Sequence, residues 1–161
     1  MIVLVMGVTG SGKTTLGKLL AQRLGWLFLD ADDFHPAENN EKMKHGVPLT
    51  DQDREPWLVA IHAKLLKCAA KNQDAVLACS ALKQSYRERL ASGVELQICY
   101  LKGTYSEIAA RLQSRTRHFA GEAILAGQFA DLEEPRDAFV LPVSNTPEEI
   151  VQDALRKLQL G

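Results

Sequence analysis

With 161 residues, 46% hydrophobic and 24% charged, the chain has the length and balance of one α/β domain that buries a core without disulfide or metal staples. A formal net charge of −1 offers no basic field for nucleic acid or an anionic membrane surface. No apolar run approaches the ~20 residues of a membrane span. The three cysteines, Cys68, Cys79 and Cys99, lack an even count and a Cys-x-x-Cys spacing. That argues against a disulfide framework or zinc site and for small buried residues in a reducing cytoplasmic setting.

Ile2 to Met6 is a continuous apolar run without a basic segment before it, so it reads as a buried parallel strand rather than a signal peptide. Gly7 to Gly12 interrupts it, and Leu16, Leu19, Leu20 and Leu24 then recur at helical spacing up to Gly25. Trp26 to Leu29 reads as the second strand, Asp30 to Pro36 as a polar turn, and Pro36 to about His45 as a short helix stopped by Gly46 and Pro48. Thr50 to Pro56 reads as charged and irregular, with a longer helix from Trp57 to about Lys71. Then follow a strand at Ala75–Cys79, a helix at Lys83–Ala91, a strand at Leu96–Leu101 and a helix at Tyr105–Arg115. Thr116 to Pro135 is an insertion with some helix, Phe139–Val143 a fifth strand, and Pro147–Leu158 a last helix capped by Thr146. Such alternation predicts a five-stranded parallel sheet with helices on both faces, whose ligands bind at the carboxyl ends of the strands.

Gly7-Val8-Thr9-Gly10-Ser11-Gly12-Lys13-Thr14 fits the G-x-x-x-x-G-K-[ST] pattern and stands between a strand and a helix. Glycines let the backbone curl so that N–H groups point at phosphate oxygens, and the helix adds its positive end. Lys13 suits the β- and γ-phosphates and the Thr14 hydroxyl suits Mg²⁺, with Thr15 beside them, so the ligand expected is ATP with Mg²⁺. The alternative is a glycine-rich turn that binds nothing. No Asn/Thr-Lys-x-Asp segment for guanine is present, and the third strand runs into Ser80 rather than aspartate. A small-molecule kinase with the P-loop nucleoside triphosphate hydrolase fold is therefore expected over a GTPase, motor or helicase.

Asp30-Ala31-Asp32-Asp33 follows the second strand and so belongs at the same sheet edge. Phosphoryl transfer to an alcohol needs a group to take the hydroxyl proton. Asp32 is the candidate base, with Asp30 and Ser80 supporting Mg²⁺; the alternative is a solvated acidic turn.

Asp30-Ala31-Asp32-Asp33-Phe34-His35-Pro36, Lys42-Met43, Gly46-Val47-Pro48-Leu49 and Asp51-Gln52-Asp53-Arg54-Glu55-Pro56-Trp57-Leu58 together resemble the gluconate kinases. Cys79-Ser80-Ala81-Leu82-Lys83 with Tyr86-Arg87, and His118-Phe119, Gln128-Phe129, Leu132-Glu133 and Pro135, look like that family's third-strand and lid segments. The resemblance implies transfer of the ATP γ-phosphoryl group to the C6 hydroxyl of D-gluconate, in a fold similar to shikimate and adenylate kinases. It implies one kinase domain over residues 1–161, with a substrate-binding segment at about 32–58, a lid at about 115–135, and a homodimer in the cytoplasm.

A guanidinium is the natural partner of a sugar-acid carboxylate, which makes Arg54 and Arg87 candidates. Surface ion pairing of Arg54 with Asp51 or Glu55, and a solvated helix face for Arg87, are the alternatives. His35, Lys83 and Gln128 are further substrate candidates. Arg111 and Arg115 are candidates for the nucleotide and its transferring phosphate, Arg111 having a pair with Glu107 as its alternative. Arg117 and His118 lie in the expected lid. Trp57 reads as core packing, and Asn145-Thr146-Pro147 could border adenine.

Overall fold

The computed structural model describes residues 1–115 and 120–161. Its strands are β1 (Ile2–Met6), β2 (Leu27–Asp30), β3 (Ala75–Ala78), β4 (Leu96–Lys102) and β5 (Phe139–Pro142). Its helices are α1 (Lys13–Leu24), α2 (Ala37–Lys44), α3 (Asp51–Ala70), α4 (Gln84–Ala91), α5 (Tyr105–Arg115), α6 (Ala120–Asp131) and α7 (Pro147–Leu158), and Ala31–Phe34 forms a 3-10 turn after β2. The strands lie in the order β2-β3-β1-β4-β5 and every pairing is parallel. This is the five-stranded α/β sheet expected from the alternation of elements.

β1 is central and fully buried because it feeds both faces. Val3 and Val5 point into a cluster with Leu16 and Leu20 of α1 and Val151 and Leu155 of α7. Ile2, Leu4 and Met6 point into the opposite cluster with Trp57, Ile61 and Leu65 of α3 and Leu90 of α4. That period-2 split across a continuous apolar run is the signature of a strand covered on both sides. Gly17 lets α1 approach the sheet closely: a Cβ there would lie 2.7 Å from the Phe28 ring.

One segment departs from expectation. Thr50 to Pro56 is not irregular; α3 begins at Asp51. Thr50 Oγ1 accepts from the Asp53 N–H at 3.1 Å, and the Asp53 carboxylate accepts from the Thr50 N–H at 3.0 Å, closing a capping box. Lys42 holds the same carboxylate from α2 at 2.8 Å. Pro56 is exposed near the start of the helix, which continues through it to Ala70. The consequence is that Arg54 stands on rigid helix rather than on a loop. The other boundaries move by about one residue: β2 starts at Leu27, β3 ends at Ala78, β4 runs on to Lys102, and Lys83 caps α4 instead of beginning it.

Candidate active site

After β1 the chain curls through Gly7–Gly12 into α1. Gly10 and Gly12 have φ of 78° and 96°, a region L side chains resist. A Cβ on Gly10 would also meet the Leu112 side chain at 2.8 Å. The curl brings loop N–H groups alongside the unpaired N–H groups at the start of α1, which makes an anion cradle. Lys13 folds back over this loop and donates to the Val8 carbonyl at 3.0 Å. Burial lowers its pKa, while the carboxylates of Asp32 and Asp30 pull the other way. A phosphate would restore the charge partner that the loop carbonyl only partly replaces.

β2 delivers Asp30 to the same edge. Asp30 Oδ1 accepts from the Asp32 N–H at 3.0 Å, capping the 3-10 turn, and Oδ2 accepts from Thr14 Oγ1 at 3.3 Å. Two hard oxygen ligands thus face each other beside the phosphate cradle, a set that fits Mg²⁺, which keeps waters and phosphates in its remaining positions. Among the described residues no cluster of three or more His, Cys, Asp or Glu could hold a metal by itself. Asp32 opens to the cavity, yet its pKa is raised, first by the water the surrounding protein displaces and then by the Asp30 charge; Lys13 opposes both. Lys13, Thr14, Thr15, Asp30, Asp32 and Ser80 line one cavity of about 240 Å³ together with Thr9 and Gln128. Val8 and Ser11 of the loop are buried beneath.

A second group of side chains adjoins it. The His35 ring stacks on Trp57 with centroids 4.5 Å apart, and His35 Nδ1 lies 3.3 Å from Asn39 Nδ2. Burial, and then the Arg54 charge, hold the His35 pKa below its ordinary value. Trp57 is more than core packing: its indole N–H donates to the Ala31 carbonyl at 2.7 Å, tying α3 to the turn that carries Asp32. Arg54 donates to the Tyr86 hydroxyl at 3.0 Å and lies 3.9 Å from the carboxylates of Asp51 and Asp131. Lys83 donates to both Asp51 oxygens, at 2.9 and 3.1 Å, and the Tyr86 hydroxyl donates to the same carboxylate. Arg54, Lys83 and Tyr86 therefore converge on one carboxylate, which the protein itself supplies.

Arg87 stands apart. It is 2% exposed and its guanidinium donates to the carbonyls of Ala81 (2.7 Å), Leu82 (3.0 Å) and Glu133 (2.7 Å) and to Gln84 Oε1. Every donor is committed to protein, so Arg87 is not a carboxylate ligand. It braces the turn after β3, where Ala81 takes a left-handed φ of 43°. Arg111 donates to the Val143 carbonyl, bracing α5 against the end of β5 close to Asn145. Its alternative partner Glu107 instead accepts from the Thr104 N–H. The Arg115 side chain, Arg117 and His118 lie outside the described residues. Gln128, expected on the sugar-acid side, sits on the phosphate loop, where its Oε1 accepts from the Thr9 N–H at 2.6 Å. Sequence reasoning missed Asp131 as a neighbour of Arg54 and Tyr86 as a ligand; for Asp131 the signal was its place three residues after Gln128 on one helix.

A shikimate kinase family profile matches residues 9–158. A gluconokinase of Gluconobacter oxydans is 43% identical over 161 residues, covering 98% of this chain and 90% of that protein. A probable gluconokinase of Mus musculus is 43% identical over 174 residues, covering 97% of this chain and 90% of the mouse protein. The crystal structure of a gluconokinase from Sinorhizobium meliloti superposes with a TM-score of 0.88 at 42% identity, covering 98% of this chain and 90% of that one. With a curled phosphate loop, a paired aspartate turn and a cationic cluster already assembled at one sheet edge, these likenesses agree with the geometry: the chain belongs to the gluconokinases of the shikimate kinase family.

Proposed function

We propose that the protein phosphorylates D-gluconate with ATP, giving 6-phospho-D-gluconate and ADP. The observation that carries this reading is the meeting, at one sheet edge, of a phosphate cradle, the Asp32 carboxylate and a cluster of cations that already grips a carboxylate. The kinship with gluconokinases supplies the acceptor.

In this reading the loop N–H groups and Lys13 hold the triphosphate. Thr14 and Asp30, with Ser80 nearby, hold Mg²⁺, which when bound neutralises phosphate charge. The C6 hydroxyl of the sugar acid attacks the γ-phosphorus. An O–P bond forms, the bridging P–O bond to the β-phosphate breaks, and Asp32 takes the hydroxyl proton as ADP leaves. A raised pKa makes Asp32 a stronger base than an ordinary carboxylate. Arg54 and Lys83 receive the substrate carboxylate, and His35 offers a neutral ring to a hydroxyl. Trp57 fixes the distance between the two halves by holding both His35 and Ala31. Arg111 and Arg115 serve the nucleotide side.

Residues 1–161 act as one kinase domain, with a substrate-binding segment at about 32–58 and a lid at about 115–135 that excludes water on closing. A cytoplasmic homodimer is the assembly that the family resemblance supports. No helix among the described residues is long and apolar enough to cross a membrane. The test is a coupled assay of ADP release with Mg²⁺ and ATP, comparing gluconate, shikimate, AMP and no acceptor. Release that depends on gluconate alone supports the reading; release with another acceptor, or none with gluconate, sinks it.

A further inference from the structure

Gln128 and Thr9 are 119 positions apart in sequence, yet they share a hydrogen bond of 2.6 Å. The acceptor is the Gln128 amide oxygen and the donor is a backbone N–H of the phosphate loop. Helix α6 is held for this contact by Leu125, one turn earlier, which is fully buried in the core with α1 and α7. The natural acceptors of such loop N–H groups are phosphate oxygens. Gln128 therefore stands where an oxygen of the nucleotide is due. It lines the same cavity as Lys13 and Asp32, the residues that serve the phosphoryl group in transfer.

The chemistry of the side chain narrows the role. A primary amide has an acceptor end and a donor end on one carbon. The oxygen end satisfies a loop N–H while no phosphate is present. Once a phosphate oxygen takes that N–H, the amide can turn its NH₂ toward the same phosphate. A carboxylate could do the first and not the second, because it would repel the anion. A purely apolar group could do neither. Asp131, three residues on and on the same face of α6, lies 3.9 Å from Arg54, so the helix face that reads the loop also borders the acceptor side.

We propose that Gln128 is a contact to the terminal phosphate of ATP, and that it gives the site its preference for triphosphate over diphosphate. This assigns Gln128 to the nucleotide rather than to the sugar acid, and it rests on the reading of the cavity as an ATP site. Without nucleotide Gln128 holds the loop donor. With ATP bound it donates to the γ-phosphate from α6. With ADP bound it has no terminal phosphate to meet.

The experiment is calorimetric titration of the full-length protein with Mg²⁺ and either ADP or a non-hydrolysable ATP analogue, without sugar acid. The proteins compared are wild type, Gln128→Met and Gln128→Glu, each checked for an unchanged melting transition. A hydrogen bond to a charged group is the interaction lost, so Gln128→Met should weaken the analogue on the order of tenfold and leave ADP within about twofold. Gln128→Glu should weaken the analogue further than Met does, because it adds like charge. An equal change for both nucleotides overturns the proposal, as does no change in either variant. Because no sugar acid is present, a wrong choice of acceptor leaves the result readable. Failure of the wild type to bind the analogue at all would remove the ATP reading together with this one.

Discussion

Arg87 offers a sharp test of the site's construction, because sequence and structure assign it opposite duties. Replacing it by methionine keeps much of the volume and removes the guanidinium. Three carbonyls, of Ala81, Leu82 and Glu133, then lose donors at 2.7, 3.0 and 2.7 Å in a place where Arg87 itself is only 2% exposed. A hydrogen bond from a charged donor contributes about 1.5–3 kcal/mol, and the contributions of one side chain do not simply add. The guanidinium's own desolvation cost is recovered on its removal. A loss of about 3–5 kcal/mol of folding stability is the expected net, as for breaking other buried charged contacts. At about 2–4 °C per kcal/mol for a chain of this size, the melting point should fall on the order of 10 °C. The Ala81 turn, at φ 43°, should relax with it, moving Ser80 and Lys83. The assay is urea unfolding of both proteins, with steady-state kinetics well below the variant's melting point. A stability change under about 1 kcal/mol, combined with a large rise in the KM for gluconate, would refute the reasoning and restore Arg87 as a substrate ligand.

Other expectations follow from the same geometry. Asp32→Asn should lower kcat by about 100-fold or more while leaving ATP binding nearly intact, read by single-turnover kinetics beside nucleotide titration; a loss below tenfold rules out Asp32 as the base. The base works deprotonated, so kcat should fall as pH drops through the Asp32 pKa. Burial raises that pKa, and Mg²⁺ held beside it would offset the share due to the Asp30 charge; the acid limb should vanish in Asp32→Asn, and a limb that persists there would contradict the assignment. Trp57→Phe keeps a ring for His35 but loses the N–H to Ala31, so kcat should fall with the KM for ATP unchanged; a proportional loss of stability without any change in kcat would make Trp57 mere packing. The Asp53 pKa is lowered to about 2 by Lys42 and by its bonds with Thr50. A depressed carboxylate stabilises the fold above its ordinary pKa, and that share is lost as pH falls from about 4 toward 2. Lys42→Met should shift the Asp53 titration upward by NMR, and no shift would deny the pairing.

What could be read from the sequence follows physical lines. The sheet was legible because a buried parallel strand such as Ile2–Met6 is apolar throughout, and α7 because Thr146, Pro147 and Glu148 write its start in local chemistry. The phosphate loop was legible because its glycines answer to backbone angles. The start of α3 was missed, since Pro56 and the charges around it mimic a loop and outweighed the local Thr50-x-x-Asp53 capping signal. Arg87 misled because nothing in a helical Tyr-Arg pair reveals that the guanidinium turns inward to three carbonyls. Trp57 was rightly placed in the core, but its indole N–H found Ala31 only through the packing of α3 on the turn. Gln128 was expected beside the sugar acid, and its bond with the Thr9 N–H could not be read from the sequence, because a contact across 119 residues is a property of the fold.

Transfer of a phosphoryl group from ATP to the terminal hydroxyl of gluconate leaves its mark on the product. Phosphorus–proton correlated NMR of the reaction mixture tests it most directly, since it reports which carbon bears the phosphate. The account predicts a single phosphate ester coupled to the CH₂ protons of C6, formed in step with ADP. An ester on any other carbon, or inorganic phosphate as the product, would contradict it.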